Sequence, residues 1–442
     1  MDTIHKKTSK NGINKGFNKV NTLEEFYAGN GILVTGGTGF VGIGLLEKLI
    51  RVCPRVAAIF VLIRPKTNET IEQRFKKLID DPIYDDIKAK YPSALSRVYP
   101  MKGDVSLPDL GLSREDRNLL LEKVNIVFHA AATVRFDEPL HVAVNVNTNG
   151  TARVIELWNE LRHPISFVHV STAFSNANLH EIGEKVYTTS LKPSEVIDMC
   201  GKFDKTSINQ IEKRILKTYP NTYTFSKNLA EQIVASKCKD QPFAIVRPSI
   251  IGASLEEPCP GWIENISALT SVMVLIMRGS VTIIRGRKDA RLDVVPVDLV
   301  VDTIICAAWH VTLHRDREVK VYNCTSNANP FRLMKLLKLG NKLFTSVTYF
   351  TMNEWTFQRD NCSDLARKVK MLSDSDMVKL DMRDIDWEKY VTIYVMGIRK
   401  FILKQKFKST ARQRLLRLYW IHQITKIFGI IILLWIILYL VY

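Results

Sequence analysis

The chain has 442 residues, 46% of them hydrophobic, and a formal net charge of +17. That is ample apolar material for a large core, and the length allows two or three domains. Its seven cysteines are odd in number and include no Cys-x-x-Cys pair, which argues for a reducing compartment and against a disulfide framework or a metal site. Between Arg399 and Arg417 there are eight basic residues and no acidic ones. No basic–aromatic ladder accompanies them, so nucleic acid is a poor partner and a membrane surface a better one.

Residues 1–29 are Lys/Asn-rich, lack the apolar run of a secretory signal, and read as a loosely ordered lead-in. From Gly31 strands and helices alternate. Ile32-Leu33-Val34 reads as a strand, Val41 to Arg51 as a helix and Ala58 to Ile63 as a second strand. Val98 to Met101 leads a third, and Ile126 to His129 is a fourth. A helix from His141 to Leu161 precedes a fifth strand at Ile165 to Val170, and a helix from Asn221 to Lys239 precedes a sixth at Phe243 to Arg247. Apolar strands separated by helices predict an α/β fold with a doubly wound parallel sheet of Rossmann type over 30–329. Ala268 to Ile284 reads as a core helix followed by a strand. Residues 330–405 form a smaller, mainly helical unit. From Ile427 to Tyr442 every residue is apolar, glycine or tyrosine. Such a stretch reaches roughly 24 Å as a helix, short of a ~30 Å bilayer core. Extended back to residue 419, it is expected to anchor the chain in the lipid bilayer, with the basic run on the cytosolic side. Its shortness fits the endoplasmic reticulum better than the peroxisome.

Two motifs carry the chemistry. Thr35-Gly36-Gly37-Thr38-Gly39-Phe40-Val41-Gly42 follows a strand and opens a helix, the context in which a glycine-rich loop cradles a dinucleotide. Gly36 allows the tight turn, Gly39 lets backbone approach a pyrophosphate, and Gly42 allows close packing. Free N–H groups at the helix start then face the phosphates. Where an NAD site carries a carboxylate, at the end of the second strand, this chain has Arg64 and Lys66. That favours a 2′-phosphate and hence NADPH. Asp104 is expected near the adenine and Ala131 beside the cofactor. The second motif is Tyr223-x-x-x-Lys227. Residues four apart share a helix face, and an ammonium beside a phenol is expected to lower the phenol's pKa. At the end of the fifth strand, Ser171 and Thr172 offer hydroxyls to a substrate carbonyl oxygen.

This layout resembles the extended short-chain dehydrogenase/reductase superfamily, with Asn147-x-x-Gly150-Thr151 similar to its structural asparagine motif. Arg247-Pro248-Ser249 is similar to its nicotinamide-lining segment, which implicates Pro248 in cofactor binding. In that superfamily the hydroxyl preceding the alanine, here Thr172, is the usual catalytic one.

Further stretches are more specific, among them Arg64-Pro65-Lys66, Ser171-Thr172-Ala173-Phe174, Glu257-Pro258-Cys259-Pro260-Gly261-Trp262 and Val295-Pro296-Val297-Asp298. With Asn353-Glu354-Trp355 and Gly397-Ile398-Arg399-Lys400 they resemble the alcohol-forming fatty acyl-CoA reductases, especially the insect branch, including the small C-terminal "sterile" domain. The resemblance implies that a fatty acyl-CoA is reduced to a primary alcohol through a bound aldehyde, with two NADPH. One departure stands out: only residues 331–343 separate Asn329-Pro330 from Phe344-Thr345-Ser346, where the family has a longer link. That shortening leaves room for a membrane-anchored acyl-CoA-binding or scaffold protein of weak activity. The Tyr–Lys pair alone also admits a sugar-nucleotide or steroid reductase.

Overall fold

The computed structural model describes residues 20–237, 240–278, 291–313, 318–327, 329, 331–332, 348–405, 420–421 and 423–428. In chain order the strands are β1 (Gly31–Thr35), β2 (Ala58–Ile63), β3 (Val98–Lys102), β4 (Ile126–His129), β5 (Ser166–Val170), β6 (Glu181–Ile182) and β7 (Phe243–Pro248). There follow β8 (Ile250–Gly252), β9 (Arg291–Leu292), β10 (Val294–Pro296), β11 (Lys320–Cys324), β12 (Phe331–Arg332) and β13 (Thr356–Phe357).

Seven of these form one sheet in the order β11-β7-β5-β4-β1-β2-β3, every neighbouring pair parallel. The physical cause is visible in β1. Ile32 and Val34 pack into one apolar cluster and Leu33 into another, so both faces of the sheet are covered. The Phe40–Val52 and Val297–Leu313 helices line the first face, and the Gly150–Glu160 helix lines the second through Val154, Ile155 and Trp158. Pro100, which has no N–H to donate, sits on edge strand β3. Strand order reverses between β1 and β4, and a crevice for a ligand opens there at the carboxyl ends.

Several boundaries differ from the sequence reading. The expected His141–Leu161 helix is a short helix at Leu140–Ala143, a π-helical turn at Val144–Asn149 and a helix at Gly150–Glu160. In that turn Gly150 N donates five residues back to Asn145 O. β11 is a seventh sheet strand that the six-strand reading lacked; Lys320 and the buried Asn323 break the apolar run by which the other strands were read. The helix beginning at Ala268 ends at Met277, and the strand expected after it lies outside the described residues.

The lead-in also needs correction. Leu23–Tyr27 is a helix whose Leu23, Phe26 and Tyr27 are buried in the main core. Tyr27 Oη donates to Ile305 O at 2.7 Å. Averaged over 29 residues, the lysines and asparagines hid one apolar helical face. The Asp374 carboxylate accepts from Leu23 N (3.0 Å) and Glu24 N (3.1 Å), so the C-terminal region caps this helix.

That region is built onto the reductase sheet. β13 pairs with β6, Asp302 accepts from Lys379 N at 2.7 Å, and Leu365, Trp387 and Tyr390 join the cluster that covers β1. Gly397 lies so close to Gly261 that a Cβ there would sit 1.8 Å from the Gly261 carbonyl oxygen, which seats the Trp387–Gly397 helix backbone to backbone. Among the described residues no helix is long and apolar enough to cross a membrane. Most of the expected anchor, from 429 onward, lies outside them. Its described beginning is helical and exposes Trp420, Ile421, Ile424, Ile427 and Phe428.

Candidate active site

The glycine-rich loop joins β1 to the Phe40–Val52 helix. Gly36 has φ +75, and a Cβ there would lie 2.6 Å from Ala131 N; only glycine meets both demands. At Gly42 a Cβ would meet the Gly36 carbonyl oxygen at 2.2 Å. The third glycine therefore packs against the loop itself. Gly39 is exposed and is the helix N-cap, with no side-chain cap bond. The first-turn N–H groups have no intrahelical acceptors, which suits a pyrophosphate.

The side chains of this segment divide by role. Thr35 is buried: its Oγ1 lies 2.7 Å from His129 Nδ1 and accepts from Ala131 N at 3.3 Å. Phe40 turns inward, its ring 4.9 Å from that of Trp262. Thr38 and Val41 are half-buried. Thr151 Oγ1 donates to Asn147 O (2.7 Å), so it accepts from His129 Nε2 (3.0 Å). His129 Nδ1 is then the acceptor of the Thr35 hydroxyl proton. Burial, then the nearby Lys227, pushes the His129 pKa down to about 3, so this imidazole is a neutral strut between β1, β4 and the π-helical turn.

Basic groups gather where β2 ends. Arg64 is exposed, its Nε 3.9 Å from Asp104 Oδ2. Arg74, on the Ile71–Ile79 helix, was not singled out from sequence. It donates to the Arg64 carbonyl and lies 3.3 Å from Thr38 Oγ1. Burial, with Arg64 as a like charge, holds its pKa below the usual value despite Glu69. Two like-charged guanidiniums in the neighbourhood of a glycine loop favour an anion there. Lys66 leans instead toward Glu69, at 3.9 Å. Asp104 accepts from Ser106 N and Oγ at 2.8 and 2.7 Å, which fixes the turn after β3. Pro248 is buried at the end of β7, paired with Cys324 of β11.

Tyr223, Lys227 and Glu231 follow one another at four-residue spacing along the Thr222–Lys237 helix. The helix is pinned by the π-helical turn: Asn147 Nδ2 donates to Ser226 Oγ (3.0 Å) and Thr148 Oγ1 to Ser226 O (3.0 Å). Lys227 is buried, its Nζ donating to Val170 O at 2.7 Å. Thr172 stands next to Tyr223, near enough for its hydroxyl to offset part of the effect of burial on the phenol. Thr172 Oγ1 also accepts from Phe174 N at 3.3 Å. Ser171 faces the other way: its hydroxyl donates to Glu231 Oε1 at 2.5 Å. Glu231 in turn pairs with Arg247, accepting from Nε at 2.9 Å and Nη2 at 2.6 Å, with both side chains fully buried.

The electrostatics differ from expectation. Burial pushes the Tyr223 phenol up to about 12, opposed by the neighbouring Thr172 hydroxyl. Lys227, its Nζ turned to Val170 O, does not bring it down; desolvation drives the amine's own pKa down to about 8, against the pull of Glu231. The phenol is thus held protonated at neutral pH. The Lys227 shift carries a signed consequence. Between about 8 and the ordinary 10.5 the unfolded chain holds the proton and the folded chain does not, so stability rises with pH across that window. Denaturant unfolding of wild type against Lys227→Met should show a difference moving in favour of wild type as pH rises through it. A pH-independent difference would mean the amine keeps its ordinary value.

Comparison with known proteins places this geometry. Residues 34–304 match the NAD-binding family described as male sterility protein, and residues 319–405 match the Sterile family of the same description. Fatty acyl-CoA reductase 1 of Mus musculus is 31% identical over 456 aligned residues, covering 89% of this chain and 88% of that protein. Fatty acyl-CoA reductase 2 of Homo sapiens is 31% identical, covering 91% of each chain. The 456-residue alignment is longer than this whole chain of 442, so the relative carries residues that this chain lacks. The reductase domain of a nonribosomal peptide synthetase from Mycobacterium tuberculosis has the same fold, with a TM-score of 0.60 at 19% identity over 84% of this chain and 91% of that one. A parallel sheet with a glycine-rich turn at its switch point, a tyrosine next to a threonine at the end of β5 and a Sterile region built onto the same core therefore go with sequence kinship, and the chain belongs to the fatty acyl-CoA reductase family.

Proposed function

We propose that this protein reduces a long-chain fatty acyl-CoA to a primary fatty alcohol, using NADPH and releasing CoA. The observation that carries the reading is the juxtaposition of Tyr223 and Thr172 at the carboxyl end of β5, in the same parallel sheet whose β1 leads into the loop built by Gly36, Gly39 and Gly42. A nicotinamide cofactor, when bound, would supply one hydride to the thioester carbonyl, the resulting thiohemiacetal losing CoA thiolate to leave an aldehyde, and a second NADPH, exchanged for the first, would supply the hydride that reduces the aldehyde. Thr172 and Tyr223 hold the carbonyl oxygen, and Tyr223, kept protonated by burial, donates its proton as negative charge develops. Lys227, tied to Val170 O, fixes the helix face that presents Tyr223 and can return a proton to it. Ser171 holds Glu231 and leaves Thr172 as the substrate-facing hydroxyl.

Membranes containing the protein, given palmitoyl-CoA and NADPH, should form hexadecanol. Tyr223→Phe should lower turnover by about a hundredfold or more, the scale of general acid catalysis, with cofactor binding nearly unchanged. Fatty alcohol absent at every acyl length, or full activity in Tyr223→Phe, would overturn the reading.

NADPH rather than NADH is supported by the Arg64–Arg74 cluster, where a 2′-phosphate would relieve like-charge repulsion. A lost charge-assisted bond is worth about 1.5–3 kcal/mol. Arg74→Ala should then raise KM for NADPH by roughly tenfold or more and leave KM for NADH unchanged. Equal effects on both would remove Arg74 from the phosphate site.

The exposed apolar side chains from Trp420 to Phe428, following the basic run of Arg399–Arg417, support attachment to a lipid bilayer with the reductase domain in the cytosol. Of the cytosol-facing organelle membranes, we favour the endoplasmic reticulum. A fluorescent fusion lacking residues 419–442 should move to the soluble fraction; if it stays with membranes, the attachment lies elsewhere.

A further inference from the structure

Next to Tyr223 stands an aromatic wall that the reaction chemistry does not use. The Phe136 ring, in the loop after β4, lies 5.9 Å from the Tyr223 ring. The Phe350 ring, on the Thr348–Met352 helix of the Sterile region, lies 5.5 Å from Phe136 and 5.1 Å from Phe174. Phe174 follows Thr172 by two residues and meets Trp355 at 5.2 Å. The wall is anchored: Tyr349 Oη and Trp355 Nε1 both donate to Ala177 O, at 2.9 and 3.1 Å. Phe136 and Tyr223 themselves are only half-buried, so this end of the wall is open beside the reacting groups.

A thioester whose carbonyl oxygen meets Tyr223 and Thr172 must send its acyl chain somewhere. The β1 side is taken by the glycine loop and its polar, cationic surroundings. The Phe136 side is apolar and continuous with Phe350. Accepting acyl-CoA reduction as the activity, we propose that the acyl chain lies against Phe136 and runs toward Phe350. The Sterile region thereby supplies a residue that sets chain-length preference. Each methylene covered adds up to about fourfold in affinity, the equivalent of about 0.8 kcal/mol, until the wall ends.

The test is kcat/KM on the full-length protein with acyl-CoAs of graded length. For Phe136→Ala and Phe350→Ala the loss should grow with chain length, exceeding the loss on butyryl-CoA by about tenfold or more with palmitoyl-CoA. Phe136→Leu and Phe350→Leu, which keep an apolar side chain, should show a shallower slope and guard against misfolding. Losses equal at every length would overturn the proposal. A second readout needs no turnover. Palmitoyl-CoA should quench Trp355 fluorescence, taken as wild type minus Trp355→Phe, and CoA alone should not. Quenching without alcohol formation would sink the proposed activity and keep the acyl wall. Alcohol formation with neither quenching nor a length-dependent loss would sink the acyl wall alone.

Discussion

The fully buried Glu231–Arg247 ion pair is the constraint on which the rest of the site depends. Two charges taken out of water are tolerated only when every donor and acceptor is matched. Here Glu231 takes the Ser171 hydroxyl and the Nε–Nη2 edge of the guanidinium, and Arg247 also donates to Gly183 O at 3.0 Å and Lys185 O at 2.8 Å. Meeting those demands ties the helix of Tyr223 and Lys227 to β7, to the end of β5 where Thr172 stands, and to the segment after β6. That last segment continues the tie outward. Glu184 accepts from Asn323 N at 2.9 Å and from Asn361 N, so the Sterile region is registered against the catalytic helix through one connected polar network.

This registration explains why the C-terminal region behaves as part of the reductase body. It caps the Leu23–Tyr27 helix with Asp374, supplies Lys379 N to Asp302 and brings Phe350 toward Tyr223 by way of Phe136. Asp302 also pairs with buried Lys48 at 3.0 Å, on the helix that starts at the glycine loop. Glycine loop, Tyr223 and the aromatic side chains thus share supports. The relatives carry residues that this chain lacks, and the described residues make all of these ties without them.

Local features were readable because their physics is local. A strand followed by a tight turn needs glycine at Gly36 whatever lies elsewhere, and the +75 φ there follows from that need. Tyr223 and Lys227 share a face by helical geometry alone. Arg74 was not legible because its neighbour Thr38 is 36 residues away and only the fold brings them to 3.3 Å. Glu231 carried a faint signal, a third member of the Tyr223, Lys227 spacing, but nothing local says that a carboxylate there is buried. Leu23, Phe26 and Tyr27 were lost in a polar average, and in β11 Lys320 and Asn323 interrupt the apolar run.

The sequence by itself determined the parallel doubly wound sheet, the glycine-rich turn after its first strand, the shared helix face of Tyr223 and Lys227, and the family. These rest on apolar runs, glycine torsions, helical spacing and motif order, all written along the chain. Tertiary structure alone decided which of the two hydroxyls beside the tyrosine is tied up, because Ser171 is claimed by Glu231 from 60 residues away. It also decided the state of the phenol. A lysine four residues on suggested a lowered pKa, but burial raises Tyr223 to about 12 and brings Lys227 down to about 8. Desolvation depends on everything packed around a group, and that is fixed only when distant segments close over it.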